Sequence, residues 1–425
     1  MMKDMSMLQL LLYVLFLTVL SAWSATGHVA VRAHLTHIDN ARGFSKHDLL
    51  HRMAARTRAR VVKRWSPPRP RPGGGANDTG VIASVSRGTV GDQNSDSEYL
   101  IHFSIGTPPQ RVVLAIDTSS DFIWTQCGCK SCFNQPFLPV DTSASTTHAD
   151  VSCFDRLCAW GGLPLSGCTV NDNFCFYVHS YGDNSFTTGK LSEDTFTFQA
   201  ASGKAVAMPS LRFGCGMYNI GNFKTNESGV AGFGRGKMSP AVAAQAQATG
   251  PTQSTPFARS PAGRTSSLYY LSLKGVTVGN RRLPFDASTF GLRHDGSGGT
   301  IIDSGTGITT FPRAVFRTLR EAFVSQVSLP VADRSADDPD SMLCFSTYSI
   351  PDIPELILHL EGADWQLPRE NYVLDFADDT TCVVINSGGD SDVTIIGNFQ
   401  QQNMHIAYDL GSNKLFFAPA RCDKL

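Results

Sequence analysis

The sequence predicts a mainly β protein built from two similar halves. Short apolar stretches separated by turn residues run through the chain after residue 98, long amphipathic helices are scarce, and one strand-and-turn motif occurs twice. The chain has 425 residues, of which 42% are hydrophobic and 17% are charged. This composition is typical of a globular protein large enough for two domains.

The strand prediction rests on hydrophobic periodicity. Residues 99–105 alternate between apolar and polar side chains, whereas residues 112–116 form a continuous apolar run typical of a buried strand. Further strands are predicted at residues 195–198, 269–273, 299–302, 393–396 and 415–417. The best candidate for an amphipathic helix covers residues 313–327.

The N-terminal region has the features of a secreted precursor. In residues 1–24, Lys3 precedes a short apolar run and then small residues, as in a signal peptide; an uncleaved membrane anchor is the alternative. Residues 25–95 are predicted to be a basic propeptide that ends in a Pro/Gly linker, and residues 66–75 of this linker suit cleavage by processing proteases. A solvated basic helix is the alternative for the propeptide.

Charge is distributed unevenly along the chain. Residues 25–78 contain eleven Lys or Arg and three Asp, which gives them a net charge of +8. Since the whole chain carries −1 and residues 1–24 are neutral, residues 79–425 carry −9. The two parts therefore attract each other at neutral pH and separate as carboxylates become protonated. The near-neutral total excludes the polycationic character expected of a protein that binds nucleic acid.

All eleven cysteines lie at or after Cys127, and seven of them lie between Cys127 and Cys175. In a chain with a signal peptide this pattern indicates a disulfide framework, with a zinc site as the alternative for the first three cysteines. The odd number predicts at least one cysteine that is free or bonded to another chain. Glycosylation sequons begin at Asn77 and Asn226 and fit secretion.

The duplicated motif contains an aspartate in each copy. Residues 113–120 (VLAIDTSS) resemble residues 299–306 (GTIIDSGT), since each is an apolar strand that ends in Asp and continues into hydroxyl and small residues. An apolar pair and a glycine follow later, at residues 230–232 and 395–397. In isolation either triplet is more typical of a turn or a helix cap, but the pair indicates a duplicated half-domain that contributes Asp117 and Asp303.

These motifs resemble those of the pepsin-like aspartic proteases, in particular the nepenthesin type of plants. The resemblance covers residues 96–422, and residues 35–60 resemble the propeptide of that group. It implies a bilobal fold with the active-site cleft between an N-terminal β lobe, residues 96–255, and a C-terminal β lobe, residues 256–425. The longest matching stretches are residues 98–109 (EYLIHFSIGTPP), 124–127 (WTQC), 213–216 (FGCG) and 396–403 (IGNFQQQN).

The resemblance assigns Asp117 and Asp303 as the two catalytic carboxylates. Two carboxylates about 3 Å apart cannot both ionise, so they share a proton, and the aspartic-protease pair is the standard example of this effect. One can then accept a proton from water while the other donates a proton to the carbonyl of the scissile peptide bond.

The residues around the two aspartates are assigned by the same resemblance. Tyr181 and Gly182 match the flap that covers the cleft, and Trp124 matches a tryptophan that supports the flap tyrosine; an ordinary hairpin and a plain core tryptophan are the alternatives. The supporting residues form three pairs: Thr118 and Ser304 tie the two loops together, Ser120 and Thr306 are the hydroxyls that bond the carboxylates, and Ser119 and Gly305 are the small third residues of the motifs.

The sequence departs from the family pattern at three places. Ser119 stands where the family usually has glycine, which predicts crowding of the opposing loop or a tilt of Asp117. The segment after Gly236 is shorter than in relatives and lacks a strand. By resemblance we expect the disulfides Cys127–Cys129, Cys132–Cys215, Cys153–Cys175, Cys158–Cys168 and Cys344–Cys382, and a free Cys422.

The predicted function is a secreted aspartic endopeptidase made as a zymogen and active at acidic pH, with extracellular space or the vacuole as its destination. Its substrates are polypeptides with apolar residues beside the cut, and no metal or organic cofactor is implied. We expect a monomer, with no nucleic-acid partner and no membrane attachment after signal cleavage. The alternative is a catalytically silent binding or inhibitory protein, since plant inhibitors of xylan-degrading enzymes are similar to this family.

Overall fold

The computed structural model shows a mainly β architecture of two halves, as predicted. Several predicted features lie outside the residues that it describes. They are the signal peptide, the propeptide and linker apart from residues 84–87, the Asn77 sequon, the shortened segment after Gly236, and Cys422. The described residues are 84–87, 99–159, 165–168, 173–182, 184–199, 205–223, 226–236, 252–260, 267–332, 338–376 and 379–420.

The described residues contain 25 strands, which we number in chain order. The strands of the N-terminal half are β1 (Ser84–Arg87), β2 (Tyr99–Ile105), β3 (Gln110–Asp117), β4 (Trp124–Ser131), β5 (Ala149–Asp150), β6 (Leu165–Cys168), β7 (Cys175–Ser180), β8 (Phe186–Gln199), β9 (Ala205–Ile220) and β10 (Gly229–Gly232). The strands of the C-terminal half are β11 (Gln253–Pro256), β12 (Tyr269–Leu271), β13 (Leu273–Val278), β14 (Arg281–Arg282), β15 (Thr300–Ile302), β16 (Thr310–Phe311), β17 (Leu343–Ser346), β18 (Leu356–Leu360), β19 (Ala363–Gln366), β20 (Val373–Phe376), β21 (Thr380–Val383), β22 (Asn386–Ser387), β23 (Thr394–Ile396), β24 (Met404–Asp409) and β25 (Lys414–Pro419).

Helices are short in the described part of the chain. The α-helices are α1 (Arg156–Ala159) and α2 (Arg313–Val324), and 3₁₀ turns occur at Thr142–Ala144, Arg369–Asn371 and Asn398–Gln401. Helix α2 confirms the predicted amphipathic helix, although it ends three residues earlier than predicted. Its apolar stripe is buried against the C-terminal core. Among the described residues, no helix is both long and apolar enough to cross a membrane.

The N-terminal half is one ten-stranded sheet in the order β1-β2-β3-β10-β4-β9-β8-β7-β6, with β5 paired to β8. Strand β1 lies within the predicted propeptide and linker, yet it pairs antiparallel with β2, so that Arg87 lies opposite Tyr99. Alternate residues of β2 and β3 belong to different hydrophobic clusters on the two faces of the sheet. Both faces of strand β3, which ends at Asp117, are therefore buried, which explains its continuous apolar run.

The C-terminal half consists of four smaller sheets around one large core. Their strand orders are β11-β25-β24, β12-β15-β23-β16-β22, β14-β13-β18-β19 and β17-β21-β20. Strand β11 spans the predicted boundary between residues 255 and 256 and pairs with β25 at the end of the chain.

The duplication seen in the sequence is also present in the strand topology. In the first copy, β10 runs parallel to β3 and antiparallel to β4, and Gly232 lies beside Asp117. In the second copy, β23 runs parallel to β15 and antiparallel to β16. Gly232 and Gly397 follow the apolar pairs, and a Cβ at either position would lie within 2.6 Å of backbone atoms five residues after the aspartate. Glycine is required at both positions because the chain segments cross there.

Four of the five predicted disulfides are wrong, and Cys344–Cys382 is confirmed. The structure pairs Cys127 with Cys215, Cys129 with Cys132, Cys153 with Cys168, and Cys158 with Cys175.

The corrected pairs follow burial. The pairs Cys127–Cys215 and Cys158–Cys175 join cysteines of the hydrophobic clusters, and the other two corrected pairs join cysteines that are exposed or half-buried. Strand β4 runs beside β9, which brings Cys127 within 5.2 Å of Cys215 between Cα atoms. Resemblance to the family was therefore a poorer guide to pairing than membership of the core.

Candidate active site

The two aspartates lie at equivalent strand ends of the duplicated motif. Asp117 is the last residue of β3 and is 7% exposed, and Asp303 directly follows β15 and is fully buried. The Asp303 N–H donates to the carbonyl of Ile396 on the neighbouring strand. A Cβ on Gly305 would lie only 2.6 Å from Oδ1 of Asp117. The loop that carries Asp303 is therefore packed directly against the Asp117 carboxyl group.

Thr118 and Ser304 connect these loops by two reciprocal hydrogen bonds. The N–H of Thr118 donates to Oγ of Ser304 at 3.2 Å, and the N–H of Ser304 donates to Oγ1 of Thr118 at 2.9 Å. The Ser304 hydroxyl also donates to the carbonyl of Ile116 at 3.3 Å. Each loop thus supplies a hydroxyl that accepts a backbone N–H of the other loop, which fixes their relative position.

Both oxygens of the Asp303 carboxylate accept hydrogen bonds from its own loop. The N–H of Gly305 donates to Oδ1 at 3.0 Å, and the hydroxyl of Thr306 donates to Oδ2 at 2.5 Å. Thr306 therefore lies where the resemblance placed a hydroxyl that bonds the carboxylate.

The Asp117 carboxylate is held differently from the prediction. The N–H and the hydroxyl of Ser119 both donate to Oδ1, at 2.8 Å and 2.5 Å. The predicted donor, Ser120, has a buried hydroxyl without a hydrogen-bond partner among the described residues. The prediction for Ser120 is corrected because the side chain of Ser119 folds back onto Asp117.

The flap residues lie at the turn between β7 and β8, as an antiparallel hairpin requires. The N–H of Tyr181 donates to the carbonyl of Ser185 at 2.8 Å, and Gly182 is the next residue in the turn. The indole N–H of Trp124 donates to the hydroxyl of Tyr181 at 2.7 Å. The structure therefore joins the predicted flap tyrosine to the tryptophan of strand β4.

His179 on strand β7 contacts the predicted flap tyrosine and was missed in the sequence. Its ring is 4.8 Å from the ring of Tyr181 and 5.6 Å from that of Phe122, between centroids. Burial lowers the pKa of His179 to about 4, and its buried Nδ1 has no hydrogen-bond partner among the described residues. In the sequence, His179 could have been noticed from its position on the predicted hairpin, two residues before the predicted flap tyrosine.

Asp121 is a third carboxyl group near the pair and was also missed. Its Oδ1 accepts the N–H of Gly236 at 2.7 Å, and its Oδ2 accepts the hydroxyl of Ser267 at 2.6 Å. Burial raises the pKa of Asp121, these two hydrogen bonds oppose that effect, and the charge of Asp117 adds to it. In the sequence, Asp121 could have been noticed from its position directly before the apolar pair Phe122-Ile123.

The arrangement suits acid–base chemistry by carboxyl groups. Among the residues that the structure describes, no group of three or more His, Cys, Asp or Glu side chains is placed to hold a metal ion. Two adjacent carboxyl groups held by fixed donors, one fully buried and one slightly exposed, can polarise a water molecule and transfer its proton.

Comparison with known proteins matches two family models that together span both halves of the chain. The model described as "Xylanase inhibitor N-terminal" matches residues 99–268, and the model described as "Xylanase inhibitor C-terminal" matches residues 268–419.

Among characterised relatives, the chain is 35% identical to aspartic proteinase nepenthesin-1 of Nepenthes gracilis over 418 residues. That match covers 91% of this chain and 89% of the relative. It is 31% identical to nepenthesin-2 of the same plant, with coverage of 92% and 90%. It is also 32% identical to aspartyl protease family protein 2 of Arabidopsis thaliana, with coverage of 83% and 75%.

Solved structures show the same fold at lower identity. A crystal structure of the protein edgp superposes with a TM-score of 0.64 at 18% identity and covers 77% of this chain and 93% of that one. Basic 7S globulin from soybean superposes with a TM-score of 0.59 at 19% identity, covering 77% and 95%.

Proposed function

Since the chain belongs to the pepsin-like aspartic protease family and resembles its nepenthesin-type plant members, we propose that it is an aspartic endopeptidase in which Asp117 and Asp303 are the catalytic carboxylates. The observation that supports this proposal is the contact between the two loops that carry these aspartates. Reciprocal bonds between Thr118 and Ser304 hold them, and Gly305 packs against the Asp117 carboxyl group.

In the proposed mechanism the two carboxyl groups share one proton. The ionised group accepts a proton from a water molecule, whose oxygen attacks the carbonyl carbon of the scissile peptide bond. The protonated group donates to the carbonyl oxygen, and a proton then passes to the leaving nitrogen as the C–N bond breaks. The apparent titrations belong to the pair rather than to one residue. This chemistry favours acidic pH, where one of the two protons remains bound.

The substrate is proposed to be an extended polypeptide between the lobes. The hairpin that carries Tyr181 and Gly182 would cover it, since a β hairpin with a small residue at its turn can bend over a bound chain. The bond from Trp124 would hold the Tyr181 hydroxyl in one position. Extended peptides bind such clefts through backbone hydrogen bonds and side-chain pockets.

Secretion and zymogen processing belong to the same proposal. Strand β1 pairs with β2 from residues of the predicted propeptide region, so the working enzyme keeps Ser84–Arg87. We therefore place processing within residues 66–75, and the N-terminus of acid-treated protein, measured by intact mass, should lie before residue 84. An N-terminus at or after residue 88 would contradict this placement. We expect a monomer, because both aspartates lie in one chain.

A binding or inhibitory protein is the second candidate. Two observations favour it: the matching family models are described as xylanase inhibitor domains, and Ser119 places a hydroxyl against Asp117.

Peptide cleavage by the purified full-length chain after acidification to about pH 3.5 separates the two candidates. Pepstatin and the isosteric variants Asp117→Asn and Asp303→Asn are the controls, because an amide cannot take the proton. We expect cleavage that pepstatin abolishes and that each variant lowers by about a thousandfold or more. Absence of cleavage by well-folded protein would favour the binding protein.

A further inference from the structure

The two halves of the candidate active site hold their carboxylates unequally. Asp303 accepts from Gly305 on one oxygen and from Thr306 on the other. Asp117 accepts both of its hydrogen bonds on Oδ1, and both come from Ser119. Among the described residues, no hydrogen bond reaches Oδ2 of Asp117.

Sterics explain why the loop of Asp117 tolerates a side chain at position 119, whereas the loop of Asp303 requires glycine at the equivalent position 305. Gly305 occupies the position equivalent to Ser119 in the duplicated motif, and a Cβ there would lie 2.6 Å from Oδ1 and 2.8 Å from Cγ of Asp117. Ser119 has its φ outside the left-handed region, so its backbone does not require glycine. The side chain and the N–H of Ser119 both donate to the carboxylate that the side chain approaches.

The hydroxyl of Ser120 provides the contrast within the same loop. It is buried and lacks a hydrogen-bond partner among the described residues, although the equivalent Thr306 donates to Asp303. A buried hydroxyl without a partner costs free energy, and in this loop Ser119 makes the bond that the resemblance assigned to Ser120.

We propose that Ser119 is a positioning residue for Asp117, and that its hydroxyl replaces that of Ser120 in holding this carboxylate. The inference rests on the proposed protease function. Because both donors lie on Oδ1, Oδ2 of Asp117 is the oxygen left to contact the attacking water. A donated hydrogen bond favours the charged form of a carboxylate, so loss of the Ser119 hydroxyl should alter the pH dependence of catalysis.

The experiment measures kcat/KM against pH for the full-length chain and three variants of the loop. Ser119→Ala removes the hydroxyl, Ser119→Thr retains a hydroxyl, and Ser120→Ala removes the hydroxyl that has no partner. We expect Ser119→Ala to lower kcat/KM about tenfold, because it removes a hydrogen bond to a charged group. The acidic limb of its pH profile should move to higher pH, Ser119→Thr should restore both properties, and Ser120→Ala should cost less than Ser119→Ala.

The outcomes separate this inference from the proposed function. If the parent chain cleaves peptides but Ser120→Ala costs as much as or more than Ser119→Ala, the inference is wrong and the protease function stands. An acidic limb that stays in place in Ser119→Ala also overturns the inference, because a merely structural role would lower the rate without moving the profile. If the parent chain is folded and inert, both proposals fail. If Ser119→Gly then creates activity, Ser119 disables Asp117 rather than positioning it.

Discussion

The indole N–H of Trp124 donates a 2.7 Å hydrogen bond to the hydroxyl of Tyr181, which joins strand β4 to the turn of the β7–β8 hairpin. This bond links the strand that follows the Asp117 loop to the segment proposed to cover the substrate. Phe223 packs edge-on against both rings, at 5.0 Å from Trp124 and 6.1 Å from Tyr181. Tyr181, the proposed flap tyrosine, is therefore held by a polar contact and an aromatic cluster together.

Removal of this hydrogen bond should weaken catalysis without unfolding the protein. Trp124→Phe keeps an aromatic ring but removes the donor, so we expect kcat/KM to fall about fivefold, equivalent to roughly 1 kcal/mol. Tyr181→Phe removes the acceptor and serves as the matched variant. If the bond is the cause, the double variant should be no worse than the more affected single variant. Fully additive losses would show that the two side chains act separately.

The bonds between Thr118 and Ser304 should contribute to stability as well as to geometry. Thr118→Val removes the acceptor of the Ser304 N–H, and leaving this group unpaired should lower the free energy of unfolding by about 1–3 kcal/mol. Urea unfolding measures the change. Thr146→Val, at an exposed surface threonine, is the control and should change stability by less than about 0.5 kcal/mol. An equal effect of both variants would argue against a special role for Thr118.

Asp121 should make the protein less stable as the pH rises. Burial raises the pKa of Asp121 above the ordinary value of 3.8, so the folded state keeps a proton that the unfolded state has lost. Its contribution to stability is full below pH 3.8 and is lost as the pH rises through the folded-state value.

Asp121→Asn, which cannot ionise, tests this effect. Melting temperatures measured from pH 3 to pH 7 should fall less steeply with rising pH in the variant than in the parent protein. Parallel curves would show that the Ser267 and Gly236 donors cancel the effect of burial at Asp121.

His179 should make the protein less stable as the pH falls. Burial lowers its pKa from 6.5 to about 4, so between these values the unfolded chain binds a proton that the folded protein does not. Stability therefore falls as the pH drops through this window.

His179→Phe preserves ring packing against Phe122 and Tyr181 and removes the titrating group. Its melting temperature should exceed that of the parent by the largest margin near pH 4. His294→Phe, at an exposed histidine, is the matched control for the substitution itself. A constant difference at every pH would attribute the effect of His179→Phe to packing.

Local patterns were sufficient for much of the fold. The alternation of residues 99–105 predicted β2 with its bounds, and the repeated strand-and-aspartate motif predicted the two equivalent topologies around Asp117 and Asp303. The end of α2 was predicted three residues too late, because apolar residues continue past the point where the helix stops.

Contacts between distant segments were harder to predict. The four wrong disulfides were assigned by resemblance, whereas the actual pairs depend on which cysteines share a buried cluster. Asp121 was likewise missed, because its donors on Gly236 and Ser267 are more than a hundred residues away in sequence.

The main strands, the duplication and the aspartate that ends each copy of the motif could be predicted from the sequence, because periodicity and short motifs are properties of neighbouring residues. The cysteine pairs and the burial of Asp121 and His179 required the folded structure, because they depend on distances between segments that packing brings together. The hydroxyl that holds Asp117 also required it, because two neighbouring serines could supply the bond and the side-chain conformation of Ser119 decides between them.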